Sequence, residues 1–267
     1  MSQDLAILAE DVVALLEKAG IEILKYFQSY DKQAVQVKPD FTPLTKADLV
    51  SHKTLVKGLH KLTPNIPVLS EEAAVVPYAE RASWDQYWLI DPLDGTKEFL
   101  LGHDTFSINI ALIEDHRPIL GLVYAPVLQV CYFAYEGNGA FIKHKDKKKK
   151  AIKAAKLNEN NLRVLVSRNH PGSSIEDYLA KLPPHSTEYV GSALKLCLVA
   201  EGKADLYPRL TPTSEWDTAA GQCILEKAGG KLIDVYGVPL HYNRRDSLVN
   251  PPFLAYGDSS HQWLQYL

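Results

Sequence analysis

The chain has 267 residues, of which 46% are hydrophobic and 23% charged, with a formal net charge of −3. That length suits two modest domains sharing an interface, and the composition is that of an ordinary globular protein. The charge disfavours a nucleic-acid polymer as partner, and no apolar run approaches the roughly 20 residues needed to span a bilayer.

Met1 to Glu10 carries acids and no basic stretch, so no secretory signal is expected. Cys131, Cys197 and Cys223 lie far apart and form no metal spacing and no disulfide framework. A reducing cytoplasm is the expected location.

Leu5, Leu8, Val12, Leu15, Leu16, Ala19 and Ile23 recur at helical spacing and predict a first, amphipathic helix. A second helix is predicted from Thr45 to Leu62, closed by Pro64 and Pro67. Val68 and Leu69 begin a short strand that ends at Glu71 and Glu72. Strands follow at Trp84 to Ile90, Thr105 to Ile113, Arg117 to Tyr124 and Val130 to Tyr135. With no helices between the later ones, they predict an antiparallel meander.

Lys143, Lys145 and Lys147 to Lys150 form a basic run, expected to be a solvated loop rather than a membrane or nucleic-acid patch. Beyond it strands and helices alternate. Strands are predicted at Leu162 to Ser167, Glu188 to Val190 and Asp205 to Tyr207. Helices are predicted at Ile175 to Leu182, Ala193 to Ala200 and Thr218 to Ala228. The texture changes near residue 155, which divides residues 1–155, an α+β domain, from 156–267, an α/β domain.

Asp91 and Asp94 leave a buried strand where it ends, and strand ends are where such sheets present ligands. Left unpaired, the two carboxylates would repel, and a divalent cation removes that penalty. Hard oxygen donors point to magnesium rather than zinc. Gly95 lets the chain turn tightly and Thr96 opens a short helix, whose amides suit a phosphate. Taken singly, Asp91 to Thr96 reads as a polar turn and Glu71 with Glu72 as surface charge. Asp217 alone reads as a helix cap, and Gly191 with Ser192 as an ordinary βα turn. Together they place acids and helix starts at element ends, the layout of metal-assisted phosphoryl transfer.

Asp91, Pro92, Leu93, Asp94, Gly95 and Thr96 resemble the signature of the inositol monophosphatase superfamily. Ser70, Glu71 and Glu72 resemble its upstream acidic motif, with Ser70 where many relatives have Gly. Trp216 to Gly221 resembles its C-terminal motif. The resemblance implies a layered αβαβα sandwich that joins α+β and α/β parts. Lys97, Glu98 and Phe99, and the stretch from Thr211 to Glu215, are more similar to the bacterial 3'(2'),5'-bisphosphate nucleotidases of the CysQ type.

That resemblance implies hydrolysis of adenosine 3',5'-bisphosphate to AMP and phosphate with two or three Mg2+ ions, and sensitivity to lithium. Glu71, Asp91 and the Leu93 carbonyl would hold one ion, and Asp91, Asp94 and Asp217 a second. Thr96, oriented by Asp48, would take the proton of the attacking water. The catalytic residues implied are Glu71, Asp48 and Thr96. Glu71, Leu93, Asp94, Gly95, Thr96, His170, Ser192, Lys195, Arg209 and Asp217 would line the substrate, a small nucleotide. Two alternatives stay open: an inositol or sugar-phosphate phosphatase on the same scaffold, and a catalytically idle nucleotide sensor. The resemblance also allows a monomer or homodimer and peripheral association with the cytoplasmic side of the inner membrane, although core packing of the first helix is favoured.

Overall fold

The computed structural model describes residues 2–28, 36–37, 43–158, 160–168 and 173–267. The predicted helices are α1 (Ser2–Gln28) and α2 (Lys46–Leu62). Between them β1 (Gln36–Val37) and β2 (Pro43–Leu44) form a small antiparallel pair. A seven-stranded sheet then runs in sequence order through β3 (Val68–Ser70), β4 (Gln86–Asp94), β5 (Ser107–Glu114), β6 (Arg117–Ala125), β7 (Val130–Tyr135), β8 (Ala140–His144) and β9 (Lys150–Ile152). Only its first pair, β3 with β4, is parallel; the rest is the expected meander.

Strand alternation gives this sheet two apolar faces. Trp88, Ile90, Ile108, Ile110, Leu120, Leu122 and Phe133 point to one side, against α1 and α2. Leu89, Ala111, Val123, Tyr132 and Ala134 point to the other. There they meet α6 (Leu194–Ala200) and α7 (Glu215–Lys227), whose Leu196, Cys197, Ala220 and Ile224 belong to the same cluster. The far side of that helix layer packs on a second, five-stranded sheet. Its order is β11 (His185–Val190), β10 (Leu162–Ser167), β12 (Leu206–Arg209), β14 (Phe253–Tyr256) and β13 (Lys231–Asp234). It is parallel from β11 to β12 and antiparallel beyond. Its outer face is covered by α5 (Ser173–Lys181) and the C-terminal turn around Trp263. Short helices α3 (Tyr78–Arg81) and α4 (Thr96–Leu100) flank β4. The result is five layers, α, β, α, β, α, with one core shared by both sheets and the middle helices.

The middle of the basic run is the expected solvated loop, with Lys145 and Lys147 to Lys149 exposed in the turn between β8 and β9, while its two ends extend into strands. Lys143 and His144 close β8, and Lys150 opens β9. Ala140, Ile142 and Ile152 are buried, so the flanks of the run pair as a hairpin and its lysines fall mainly in the exposed turn. Lys143 pairs with Glu17 at 3.0 Å and Lys149 with Glu10 at 3.2 Å, both acids on α1. The apolar stripe of α1 is committed to the core, with Ala9, Val12, Leu16, Ala19 and Ile23 buried. Among the described residues no helix is long and apolar enough to cross a membrane.

Two glycines set the spacing around β4 and α7. Gly95 has φ 89°, a left-handed turn that lets the chain reverse between β4 and α4. Gly121 on β6 lies under α7, where an added Cβ would sit 2.5 Å from the Ala220 carbonyl oxygen and 2.7 Å from the Cys223 Cβ. Both neighbours are close-packed, so Gly121→Ala is expected to push α7 off the sheet at a cost of about 1–3 kcal/mol. Urea unfolding measures this, and an unchanged midpoint would contradict the close docking.

Candidate active site

Three elements from distant parts of the chain meet at the end of β4. The first device there is a bulge. Asp91 pairs with Asn109 and Asp94 with Ser107, so β4 carries one residue more than β5 between these pairs. Residues three apart on a regular strand point to opposite faces, and the extra residue cancels that alternation. Pro92 occupies the bulge, where a missing N–H costs no ladder bond. Its carbonyl accepts the Ser51 hydroxyl at 2.7 Å, and the Leu93 N–H donates to Asp91 Oδ1 at 3.0 Å.

The second device is the capping box, used twice. Ser214 caps α7, and its own N–H donates to Asp217 Oδ2 at 2.7 Å. Asp217 is therefore the third residue of the helix rather than its cap. Thr45 caps α2, and its N–H and hydroxyl donate to Asp48 Oδ2 at 2.8 and 2.5 Å. In each box one carboxylate oxygen is held by the cap. Asp48 uses the other, Oδ1, to accept the Thr96 hydroxyl at 3.3 Å; that hydroxyl also lies 3.3 Å from the Leu93 carbonyl.

Oxygens of Asp91, Asp94 and Asp217 lie within 4.8 Å of one another. Glu71, just past β3, hydrogen-bonds Asp91. Burial pushes the Asp91 carboxyl well up, and Glu71, Asp94 and Asp217 add to the shift by repulsion. Burial also raises Asp217 strongly, with Asp94 and Glu71 adding to it. Asp94 is raised by burial too, but held back by donors. The Asn109 amide donates to its Oδ2 at 3.0 Å and the Ala193 N–H at 2.6 Å. Asp48 is pushed up to about 6 by burial, against the two Thr45 bonds that lower it.

Glu71, Asp91, Asp94 and Asp217 line a cavity of about 550 Å³ that also holds Leu93, Gly95, Thr96, Ser192, Lys195 and Arg209. Lys195 is buried, and its ammonium donates to the carbonyls of Ser192 at 2.7 Å and Val190 at 3.2 Å. Burial pushes it down to about 8, partly offset by the nearby Asp94. Arg209 donates to the carbonyls of Thr211 and Pro212, each at 3.2 Å. Of the residues named from sequence, Asp48 stands behind the wall and acts through Thr96, and His170 lies outside the described residues.

Sequence reasoning missed Asn109, Ala193 and Glu98. Asn109 had a signal, an amide amid the isoleucines of β5. Glu98 is buried and lines the cavity beside Gly191, which a single sequence does not reveal. The two capping boxes were legible as Thr45 with Asp48 and Ser214 with Asp217, three residues apart.

The profile of the inositol monophosphatase family matches residues 4–264. A 3'(2'),5'-bisphosphate nucleotidase CysQ of Salmonella typhimurium is 44% identical over 244 residues, covering 91% of this chain and 97% of the relative. The CysQ of Haemophilus influenzae is 42% identical, covering 88% of each. The crystal structure of CysQ from Bacteroides thetaiotaomicron superposes with a TM-score of 0.82 at 36% identity, covering 93% of this chain and 96% of that one. An inositol monophosphatase from Thermotoga maritima shares the fold, with a TM-score of 0.80 at 24% identity.

The raised carboxyls carry a pH signature. Asp48, Asp91, Asp94, Asp217 and the buried Glu215, pushed up to about 7, bind more protons folded than unfolded. Stability of the metal-free protein therefore falls as pH rises from the ordinary carboxylate range through the raised values. His52 and His241, lowered by burial, work the other way but are outnumbered. In chelator, the unfolding temperature should fall between about pH 5 and about pH 8, and Mg2+ should restore more at the higher value. A metal-free protein that is more stable at the higher pH would contradict the buried cluster.

Proposed function

The chain belongs to the inositol monophosphatase family, and from that premise we propose that it is a magnesium-dependent 3'(2'),5'-bisphosphate nucleotidase. It is a phosphatase, and the substrate that fits best is adenosine 3',5'-bisphosphate, cleaved to AMP and inorganic phosphate. The observation that carries the reading is one cavity lined by a carboxylate cluster, with Asp91 buried and Asp94 and Asp217 half-buried, and by two buried cations, Lys195 and Arg209. The cluster suits a cation at the reacting phosphate. The lysine and arginine suit a second anionic group that does not react.

The donor set fits magnesium. It offers oxygen ligands only, from acids whose mutual repulsion a divalent ion would relieve. Glu71, Asp91, Asp94, Asp217 and the Leu93 carbonyl would hold the ions, shared between two sites. When bound, the ions supply Lewis acidity to the attacking water and neutralise charge on the leaving oxygen.

The chain's own groups do the rest. The Thr96 hydroxyl lies 3.3 Å from Asp48 Oδ1 and from the Leu93 carbonyl, so it can take the proton of the attacking water while passing its own proton to Asp48. Asp48, raised to about 6, has a pKa close to neutral and suits a proton acceptor behind it. Water adds to phosphorus as the bond to the ribose oxygen breaks, and that oxygen leaves with a proton from solvent. The amides of Gly95 and Thr96 suit the transferred phosphate. Ser192, Lys195 and Arg209 suit the 5'-phosphate, and His170 completes the set inferred from sequence. The main apolar stripe of α1 packs into the core, while Ile7 and Ile21 of the same helix are exposed.

Phosphate release from adenosine 3',5'-bisphosphate, adenosine 3'-monophosphate, inositol 1-phosphate and fructose 1,6-bisphosphate tests the reading. The bisphosphorylated nucleotide should be preferred. Asp91→Asn should lose about a hundredfold or more in rate on every substrate. Lys195→Ala should raise KM for the bisphosphate by about 1.5–3 kcal/mol in binding and much less for the monophosphate. Preference for inositol 1-phosphate, or equal losses for Lys195→Ala on both nucleotides, would overturn the substrate assignment.

A further inference from the structure

Arg81 is the most deeply buried cation outside the cavity among the described residues, 1% exposed at the end of α3. It does not line the cavity. A buried guanidinium needs partners for a rigid fork of N–H donors. Here Nε donates to the Val76 carbonyl at 3.3 Å, and one terminal nitrogen donates to Asn243 Oδ1 at 2.5 Å and to the Arg245 carbonyl at 3.2 Å. The other terminal nitrogen donates to the Asp246 carbonyl. The guanidinium also lies 5.0 Å from the Tyr78 ring centroid.

These bonds join two segments that are far apart in sequence. On one side is the stretch that leaves Glu71 and runs through Val76 to α3. On the other is the loop from Tyr242 to Asn250, which holds the start of α7. Asn243 is wholly buried, with φ 56°, and its side-chain amide donates back to the Arg81 carbonyl at 2.5 Å. Its backbone N–H donates to Glu215 Oε2 at 2.8 Å. The Glu215 N–H in turn donates to the Leu248 carbonyl at 2.8 Å. The Asn250 amide donates to the Ser214 carbonyl at 2.6 Å and to the Thr218 hydroxyl at 2.9 Å. Glu215, Ser214 and Thr218 surround Asp217.

We propose that Arg81 and Asn243 form a buried strut that fixes the distance between the Glu71 segment and the Asp217 helix, and so sets the affinity of the cavity for divalent cations. They are positioning residues and touch neither substrate nor ion. The inference rests on the reading of Glu71 and Asp217 as ligands of a shared metal centre. A cluster whose members come from separate segments keeps its geometry only if something ties those segments together. Outer partners of metal ligands commonly govern affinity by tenfold or more.

Calorimetric titration of Mg2+ into wild type, Arg81→Met and Asn243→Gly tests it. Glycine suits the left-handed backbone at residue 243 and keeps its N–H on Glu215, so this variant removes the tie with little risk to folding. Both variants should bind Mg2+ about tenfold more weakly, while kcat at saturating Mg2+ stays within about twofold of wild type. A merely stabilising role would lower the unfolding temperature and leave Mg2+ affinity unmoved, which overturns the strut. A kcat loss that saturating Mg2+ does not recover also overturns it. Should Arg81→Met fail to fold, Asn243→Gly decides alone. If wild type itself binds no Mg2+, the metal reading fails first, and that outcome is distinct from either of these.

Discussion

Carboxylates crowded together out of water repel one another, and much of this fold serves to impose that crowding. Asp91 is 2% exposed, with Glu71, Asp94 and Asp217 close enough to raise its pKa by repulsion. Burial of like charges on this scale destabilises the metal-free chain, and only a rigid surround can hold it. The surround consists of ordinary structural devices. A one-residue bulge turns Asp91 and Asp94 to the same side, and a capping box holds Asp217 by one oxygen. The close approach of α7 to Gly121 brings that box up to the sheet.

The five-layer arrangement follows from the same requirement. The first sheet contributes β3 and β4, the middle helix layer contributes α7, and the second sheet contributes Arg209 from the end of β12. No one layer holds the whole set. The shared core between the sheets makes the cavity a junction, and junctions between layers are where convergent polar groups can be presented to a ligand. Local strain fits this pattern. Gly95 and Ser192 both line the cavity with left-handed backbone, and both precede short helices.

Much of this was legible in the sequence, for identifiable reasons. Largely apolar runs bounded by turn or polar residues, such as Val130 to Tyr135 and Leu162 to Ser167, appear in the structure with the predicted bounds. The first two helices were marked by periodicity and closing prolines. The strand ends that flank the exposed lysine turn were not legible, because the period set by Ala140, Ile142 and Ile152 is interrupted by that turn. The last strands, β13 and β14, are four residues each, too short to show a period. In the cavity, the acids were found because their motifs are contiguous. Asn109 and Glu98 were not, because their roles exist only after distant segments meet. Arg81 belongs to no motif, and only the fold buries it.

The central claim is that these acids form one crowded cluster around the buried Asp91, protonated in part without metal and charged with it. Divalent binding must then expel protons at mildly acidic pH. Calorimetric titration of Mg2+ at about pH 6, repeated in buffers of different ionisation enthalpy, measures the protons released per binding event. The account predicts binding enthalpies that vary with the buffer, corresponding to net proton release at that pH. Binding with the same enthalpy in every buffer would mean that the carboxylates were already fully charged, and would contradict it.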